Sequence, residues 1–231
     1  MSPPTGIPVQ VLPAGEEALL VEVAGLDDVL ALRAALLAAA EKGTGPWAGV
    51  TDLVPAARTV LVVAGPAADL DSLARAVHQQ AAMTRRGDGR HAGGDGTAAV
   101  EWAVVEVAVH YDGPDLAEVA DLTGLTPAEV VDAHTGTPWT VAFGGFAPGF
   151  GYLVGGDPRL RVPRREVSRT SVTAGSVGLA GEFSGIYPRP SPGGWQLIGS
   201  TDAVLWDVER DPPALLAPGT TVRFVDAGAG S

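Results

Sequence analysis

The stretch FGGFAPGFGYL, at residues 143–153, decides how the second half of this chain folds. An arginine-rich segment follows at residues 159–169, and then TSVTAGSVGLAGEFSGIYPRPSPGGWQLIGST at residues 170–201. Glycine permits positive φ and close backbone approach, whereas proline fixes φ and removes a backbone donor. Such a mixture disfavours helix and favours tight loops. Two interpretations stay open: aromatic and polar side chains converge on a cleft, or a glycine-rich β-barrel needs these residues at its turns.

The sequence on both sides of this stretch is mostly β in pattern, with two short helices before it. Thr126, Pro127 and Glu129 predict a helix start with a capping box, in which Thr126 is the cap, Pro127 follows it and Glu129 reaches back to it. Asp115 with Glu118 predicts a capping box one helix earlier. The predicted strands are residues 100–111, 137–143, 203–207 and 221–225, and the predicted helices are residues 115–124 and 126–136. Short strands with Gly/Pro turns predict a closed or nearly closed barrel.

The first half has a different order of elements: strand, strand, helix, strand, strand, helix. The predicted strands are residues 7–12, 18–23, 50–54 and 59–64, and the predicted helices are residues 27–42 and 69–86. This order predicts an α+β sandwich of ferredoxin-like type, with an antiparallel sheet covered on one face. The glycine-rich run GDGRHAGGDGT at residues 87–97 reads as a linker. We therefore predict domains at residues 1–86 and 99–231, joined by residues 87–98.

Composition excludes several functional classes. The net charge of −12 argues against binding to nucleic acid phosphates, and no basic stripe contradicts this. No apolar run approaches the roughly 20 residues of a membrane span, and no signal-peptide pattern opens the sequence. The absence of cysteine rules out disulfides and thiolate chemistry and fits a reducing cytosol. We expect a cytoplasmic protein without membrane or nucleic-acid partners.

One local exception to the acidic character is a cluster of arginines within residues 159–169. The guanidinium fork matches carboxylate and phosphate groups, so the cluster predicts an anion site. The alternative is a solvated turn, or a patch that pairs with acidic residues. The five arginines are Arg159, Arg161, Arg164, Arg165 and Arg169.

Several standard catalytic sites are missing from the sequence. There is no Walker A sequence and no GxGxxG, and AGSVG at residues 174–178 is only a near miss for a nucleophile elbow. The four histidines are scattered without metal-ligand spacing, so no metal site is predicted. The polar and aromatic candidates near the glycine-rich stretch are His110, Tyr111, Asp115, His134, Tyr152, Arg164, Arg169, Ser176, Tyr187 and Gln196.

A set of spaced motifs in the last 130 residues resembles one known family. The motifs are His110-Tyr111, Gly124-Leu125-Thr126, His134-Thr135, the run from Gly145 to Leu153, Pro163-Arg164-Arg165, Arg169-Thr170, the run from Ala174 to Gly178, Gly185-Ile186-Tyr187-Pro188 and the run from Ser191 to Gly199. Together they resemble the family of 5-oxoprolinase B subunits, also called the Kip-inhibitor or allophanate hydrolase subunit 1 family. The first 85 residues match that family only in their order of elements.

The resemblance implies a fold and a reaction. It implies a C-terminal cyclophilin-like β-barrel after the N-terminal α+β domain. It also implies a hetero-oligomer in which this chain works with two other proteins, the cyclophilin-like C subunit of 5-oxoprolinase and its A subunit. Such an assembly uses ATP to hydrolyse 5-oxoproline to glutamate. The chain alone is then expected to be inactive, and ATP is expected at the level of the complex.

Opening a lactam with ATP requires cations for phosphate charge, donors for a developing oxyanion and a proton carrier. On the family's motif positions, we hypothesise that His134, Arg164 and Ser176 are catalytic. The predicted substrate-binding residues are Tyr152, Arg169, Gly175, Val177 and Gln196. The sequence departs from the family's usual residues at Gly151 and at the pair Glu182-Phe183. The resemblance therefore does not fix the detailed substrate contacts.

Two other functions stay open at this stage. One branch of the family inhibits a sporulation histidine kinase, so the chain could be a non-catalytic regulator. Similar modules also occur in urea carboxylase, so a urea-like amide could replace the lactam. The sequence does not choose among these substrates.

Overall fold

A computed structural model describes residues 6–84 and 104–228 of the chain. The chain divides into two compact units, residues 1–95 and 96–231, which are described separately below. The predicted linker at residues 87–98, which includes His91, lies outside the described residues. So do the first four residues of the strand predicted at residues 100–111.

Among its described residues, the first unit forms a four-stranded antiparallel sheet with two helices. Its elements are β1 (Gln10–Pro13), β2 (Ala18–Glu22), α1 (Leu26–Ala40), a 3₁₀ turn (Gly45–Gly49), β3 (Val50–Pro55), β4 (Thr59–Ala64) and α2 (Leu70–Met83). The strand order is β1-β2-β4-β3. Helix α1 connects β2 to β3, and these two strands flank β4. This is the split arrangement of a ferredoxin-like sandwich, so the predicted fold is confirmed.

The two helices of this unit bury apolar side chains at helical spacing: Val29, Leu32 and Leu36 on α1, and Leu73, Val77 and Ala81 on α2. Asp69 is the N-cap of helix α2, and its Oδ1 accepts hydrogen bonds from the Asp71 and Ser72 amides, both at 3.1 Å. An aspartate at this position satisfies backbone donors that would otherwise lack partners. The N-cap of helix α1 is Gly25, and Asp27 and Asp28 lie in its first turn.

The second unit contains nine strands and two short helices among its described residues. Its elements are β5 (Val104–Val109), α3 (Leu116–Thr123), α4 (Pro127–Gly136), β6 (Trp139–Gly144), β7 (Gly151–Val154), a 3₁₀ turn (Pro158–Leu160), β8 (Arg169–Val172), β9 (Ser176–Ala180), β10 (Phe183–Ile186), β11 (Ser191–Gly193), β12 (Gln196–Ser200) and β13 (Thr221–Asp226). Seven strands form one sheet in the order β12-β9-β10-β7-β6-β13-β5, and β8 pairs with β11.

The edges of the seven-stranded sheet meet through one residue pair. His110 follows β5 and exchanges two backbone hydrogen bonds with Ser200 of β12, each 2.8 Å long. Closure removes the unpaired edges that an open sheet would expose. The sheet is therefore a nearly closed barrel, and the predicted cyclophilin-like fold is confirmed.

Helix α4 covers one part of the barrel and presents its inner face to the core. The predicted capping box is present: the Thr126 amide donates to Glu129 Oε2 at 2.8 Å, and the Glu129 amide donates to Thr126 Oγ1. Val130, Ala133 and His134 are buried, as the i, i+3, i+4 spacing of a helical face requires.

Two predictions of local structure are wrong. Asp115 precedes α3 but makes no side-chain cap, because its carboxylate is used elsewhere. Residues 203–207 form no strand and contribute only a bridge between Trp206 and Ala214. Within residues 6–84 and 104–228, no helix is long and apolar enough to cross a bilayer.

Candidate functional site

A cavity of about 250 Å³ opens in the second unit, where the glycine-rich stretch meets β11 and β12. We call it the aromatic cleft. Five of its ten lining residues are aromatic, and one carries a charge. The lining residues are Phe146, Phe150, Tyr152, Arg164, Ser168, Tyr187, Pro192, Gly193, Gly194 and Trp195.

The rings of the aromatic cleft pack edge to face around Phe150. Its centroid lies 5.0 Å from that of Tyr152, 5.4 Å from Trp195 and 5.6 Å from Tyr187. Such T-shaped pairs each contribute about 0.5–1.5 kcal/mol beyond their buried area. The walls are therefore fixed by mutual packing.

Glycines keep the aromatic cleft open. A Cβ at Gly193 would collide with the Tyr187 hydroxyl, and one at Gly194 would come within 2.8 Å of Ser168 Oγ. A Cβ at Gly185 would lie 3.0 Å from both the Phe150 and Trp195 rings. These positions explain part of the glycine density of the sequence, because a side chain would fill the space or displace an aromatic wall.

Phe146 stands at the rim of the aromatic cleft in an unfavourable backbone conformation. It is the one non-glycine residue with a positive φ, 65°, in the described part of the chain. The residue is 58% exposed, although its ring packs edge to face against Phe150 at 5.3 Å. Backbone strain of this kind costs of order 1–3 kcal/mol and concentrates at ligand clamps. Phe146 is thus a candidate contact residue that the sequence interpretation missed.

The arginine cluster separates into paired and unpaired members. Arg159 pairs with Asp157 at 2.6 Å, and Arg161 pairs with Glu182 at 2.8 Å. Both pairs are largely exposed, so each contributes little to stability. The interpretation as ion pairing with acidic residues therefore holds for these two arginines.

Asp115 is the acceptor for two further arginines of the cluster. Its Oδ1 accepts from Arg169 Nη2 at 2.6 Å and from Arg165 Nη1 at 2.8 Å. Its Oδ2 accepts from the Leu197 amide at 2.7 Å. The Asp115 side chain is 3% exposed. The two cations and the amide together satisfy a carboxylate that would be costly to bury alone.

Arg169 lies behind the wall of the aromatic cleft. Besides its pair with Asp115, its Nη1 donates to the Trp195 carbonyl at 3.4 Å. This link holds the backbone of an aromatic wall residue. The Arg169 guanidinium therefore has hydrogen-bond partners within the chain, and its predicted substrate-binding role stays a prediction.

Arg164 differs from the other four arginines. It lines the aromatic cleft, and no ion pair involves it among residues 6–84 and 104–228. Burial raises the pKa of the nearby Tyr187 hydroxyl, while a hydrogen bond with the Trp195 backbone and the charges of Arg164 and Arg169 act in the opposite direction. Tyr187 therefore stays protonated at neutral pH.

His134 lies inside the barrel core. Its Nδ1 is 2.7 Å from the Tyr111 hydroxyl, its Nε2 is 2.9 Å from Ser184 Oγ, and its ring stacks on Phe224 at 4.2 Å. Burial lowers the pKa of His134 to about 3. Its exposed fraction is 0%, and it does not line the aromatic cleft, so the catalytic role predicted for it stays a prediction. Ser184, its buried partner, was missed because nothing local links positions 50 residues apart.

Backbone groups in the segment from Gly175 to Val177 also form hydrogen bonds within the barrel. The Gly175 amide donates to the Tyr187 carbonyl at 2.7 Å, and the Ser176 amide donates to the Thr173 carbonyl at 3.3 Å. Val177 is fully buried in β9 between β10 and β12. The Gly175 and Ser176 amides therefore already have acceptors within the barrel, and the roles predicted for Gly175, Ser176 and Val177 stay predictions. Gly175 has a φ of 81°, and a Cβ there would collide with the Thr201 carbonyl.

Two further predicted substrate-binding residues lie in different places: Gln196 is buried, and Tyr152 lines the aromatic cleft. Gln196 is 1% exposed, and its Nε2 is 3.4 Å from Glu118 Oε1. Its Oε1 has no partner among the described residues. Tyr152 lines the aromatic cleft and stacks on Phe143 at 4.5 Å. Of the predicted catalytic and substrate-binding residues, Tyr152 and Arg164 both line the aromatic cleft.

The predicted catalytic residues do not form one catalytic group. No hydrogen bond or ion pair among the described residues joins His134, Arg164 and Ser176. Residues 6–84 and 104–228 contain no cluster of three or more histidine and acidic side chains arranged to hold a metal ion. What the structure brings together is a small aromatic cleft with one unpaired cation.

The comparisons with known proteins identify the family. The family model for the carboxyltransferase domain, subdomain C and D, matches residues 9–216. The chain belongs to this family. Two curated relatives of this carboxyltransferase-type chain are named as the B subunit of 5-oxoprolinase. The Bacillus subtilis protein is 48% identical over 125 residues, and the Escherichia coli O157:H7 protein is 49% identical over 124 residues. The resemblance to the family of 5-oxoprolinase B subunits is thereby confirmed.

The carboxyltransferase-type chain spans about half the length of the curated relatives it matches. The matched segment covers 53% of this chain and 52% of the B. subtilis protein, and 52% and 57% in the E. coli comparison. A urea amidolyase of Saccharomyces cerevisiae is 32% identical over 114 residues, which cover 46% of this chain and 6% of that protein. The crystal structure of TTHA0988 superposes with a TM-score of 0.69 at 33% identity, covering 91% of this chain and 40% of that one.

Proposed function

We propose that this chain is the B subunit of a multi-subunit, ATP-dependent hydrolase that opens 5-oxoproline to glutamate. The observation that carries the proposal is the identity of 48% and 49% to two proteins named as the B subunit of 5-oxoprolinase. The name of those relatives supports a role in a hydrolase complex. The substrate, the use of ATP and the identity of the partners are our proposal for this chain.

The geometry of the second unit supports a shared site. The aromatic cleft offers a shaped cavity and one unpaired cation, Arg164, but no nucleophile with an adjacent base. His134 is buried and neutral, and the Gly175 and Ser176 amides already donate within the barrel. A chain whose cleft has a cation but no nucleophile with an adjacent base is expected to bind one part of a substrate, while a partner protein supplies the reacting groups.

The reaction consumes one ATP and two waters for each lactam, and it yields glutamate, ADP and phosphate. The chain has neither a P-loop nor a dinucleotide fingerprint. We therefore assign ATP to the assembly and to no residue of this chain. The proposed partners are homologues of the two other 5-oxoprolinase proteins, the cyclophilin-like C subunit of that enzyme and its A subunit, in a cytoplasmic hetero-oligomer.

Co-expression tests the proposed function. The chain is purified with its two proposed partners from the same genome, and ATP hydrolysis is measured with and without 5-oxoproline. The expected result is ATP hydrolysis that depends on 5-oxoproline and on all three chains, with glutamate as product. A stable assembly without such hydrolysis would sink the proposal. Turnover by this chain alone would contradict its proposed dependence on partners.

A urea-like amide is the second candidate substrate, and the similarity to a urea amidolyase favours it. The same assembly, assayed with urea in place of 5-oxoproline, separates the two substrates by which of them stimulates ATP hydrolysis. Regulation of a histidine kinase stays a prediction.

A further inference from the structure

Arg164 is the starting point of this inference, because its surroundings differ from those of the four other arginines in residues 159–169. Those four pair with Asp157, Glu182 or Asp115 at 2.6–2.8 Å. Arg164 has no such partner in the described part of the chain, and it lies on the wall of the aromatic cleft. An arginine that faces a cavity without a counter-ion is available to an anionic ligand.

We propose that the aromatic cleft binds a small, flat cyclic amide through its carboxylate, with Arg164 as the carboxylate partner. The inference rests on the proposed function and deepens it, since it names the residue that selects an acidic lactam. The guanidinium fork can donate two parallel hydrogen bonds to a carboxylate. The rings of Phe150, Tyr187 and Trp195 line the cleft beside Arg164.

The size of the cleft favours a small ligand. Its volume of about 250 Å³ lies below the roughly 300–1,000 Å³ of clefts that hold drug-sized molecules. Gly193 and Gly194 preserve this space, because a Cβ at either position would press on Tyr187 or Ser168. A cleft of this volume suits a ligand of few atoms.

The charge of the cleft favours a carboxylate over a phosphate. The neighbouring cations Arg165 and Arg169 are held by Asp115, so Arg164 contributes one unpaired positive charge. One cation matches the single charge of a carboxylate, whereas a phosphate dianion usually draws several donors and cations. Ser168 Oγ, on the same wall, can donate or accept a hydrogen bond at the amide.

The test measures binding of three probes to the purified 231-residue chain and to the co-purified complex. The probes are 5-oxoproline, 2-pyrrolidinone, which is the same ring without the carboxylate, and inorganic phosphate. We expect 5-oxoproline to bind at least ten-fold more tightly than 2-pyrrolidinone or phosphate. The variant Arg164→Ala should weaken 5-oxoproline binding on the order of 10- to 100-fold, as expected for a lost charge-assisted hydrogen-bond pair. Arg159→Ala, in the same segment, is the matched control and should bind as the unmodified chain does.

Four results would overturn the inference: no binding of 5-oxoproline to either preparation, equal binding of the two rings, phosphate binding as tight as 5-oxoproline, or an Arg164→Ala variant that binds normally. The assay separates this inference from the proposed function. Lactam-dependent ATP hydrolysis that is unaffected by Arg164→Ala keeps the proposed function and rejects the carboxylate site. If 5-oxoproline binding depends on Arg164 but the full assembly shows no lactam-dependent ATP hydrolysis, the carboxylate site is kept and the proposed function is rejected.

Discussion

Asp115 and Arg169 are 54 residues apart in sequence, yet their side chains meet at 2.6 Å, and the carboxylate is almost completely buried. The same oxygen accepts from Arg165, and Arg169 reaches on to the Trp195 carbonyl. Helix α3 is thereby tied to β8 and to the wall of the aromatic cleft. The pair joins the start of α3 to the surface where we place ligand binding.

Removing the charge of Asp115 should destabilise the second unit. The variant Asp115→Asn keeps the size of the side chain but leaves Arg165 and Arg169 without their shared counter-ion. Breaking a buried pair by removing one partner costs about 3–5 kcal/mol, and the partial exposure of both arginines places the expected loss near the lower end. Chemical denaturation followed by tryptophan fluorescence measures this loss.

The control for this variant is Glu182→Gln, which breaks the exposed pair with Arg161. Its expected cost is about 0–1 kcal/mol, since exposed pairs contribute little. Equal losses for Asp115→Asn and Glu182→Gln would refute the special role of the buried pair. A normal stability of Asp115→Asn would do the same.

The buried His134 should make the stability of the second unit depend on pH. Burial lowers its pKa from 6.5 to about 3, so the unfolded chain binds a proton at a higher pH than the folded chain does. The stabilising contribution is therefore complete above about pH 6.5 and is lost as the pH falls toward 3. Within that range, one such group changes the free energy of unfolding by about 1.4 kcal/mol per pH unit.

The variant His134→Gln isolates this contribution. Glutamine has hydrogen-bonding groups for Tyr111 or Ser184 but no titrating ring, so unfolding measured from about pH 7 to about pH 4 should show a shallower loss than in the unmodified chain. His78→Gln, at an exposed position of α2, controls for the substitution itself. Parallel pH profiles for His134→Gln and the unmodified chain would contradict the assignment.

The sequence predicted those features that depend on neighbouring residues. Thr126 and Glu129 are three residues apart, and their capping box formed as expected. Gly124 ends α3 with a φ of 71°, at the end of the predicted helix of residues 115–124. Local hydrogen bonding and backbone sterics decide these features, and both can be read from a few adjacent residues.

The candidate site depended on contacts that no local pattern encodes. The sequence predicted Asp115 as a helix cap, but its carboxylate accepts hydrogen bonds from Arg165 and Arg169, which are 50 and 54 residues away. His134 was assigned to the cleft, although its spacing from Val130 on α4 already indicated the buried face. Residues 203–207 had the alternation of a strand, but the seven-stranded sheet closes without them.

Filling the cleft at Gly193 should impair ligand binding. In Gly193→Ala, the added methyl group would collide with the Tyr187 hydroxyl, so the tyrosine must move or the loop must shift. Overpacking of this kind costs about 1–3 kcal/mol, and we expect the affinity for 5-oxoproline to fall at least ten-fold. Gly136→Ala is the control, because its methyl group would meet no atom within 4 Å. Normal affinity in Gly193→Ala, measured by calorimetry, would place the ligand elsewhere.

Phe146 allows backbone strain to be separated from ligand contact. Its φ of 65° is unfavourable for phenylalanine and alanine by about 1–2 kcal/mol but acceptable for glycine. The variant Phe146→Ala keeps the strain and loses the ring, whereas Phe146→Gly loses both. We expect Phe146→Gly to be about 1 kcal/mol more stable than Phe146→Ala, after allowing for the greater chain entropy of unfolded glycine. Both variants should bind 5-oxoproline equally and more weakly than the unmodified chain, because each lacks the rim ring. Equal stabilities would show that the strain is absent, and unimpaired binding in both would remove Phe146 from the proposed contact surface.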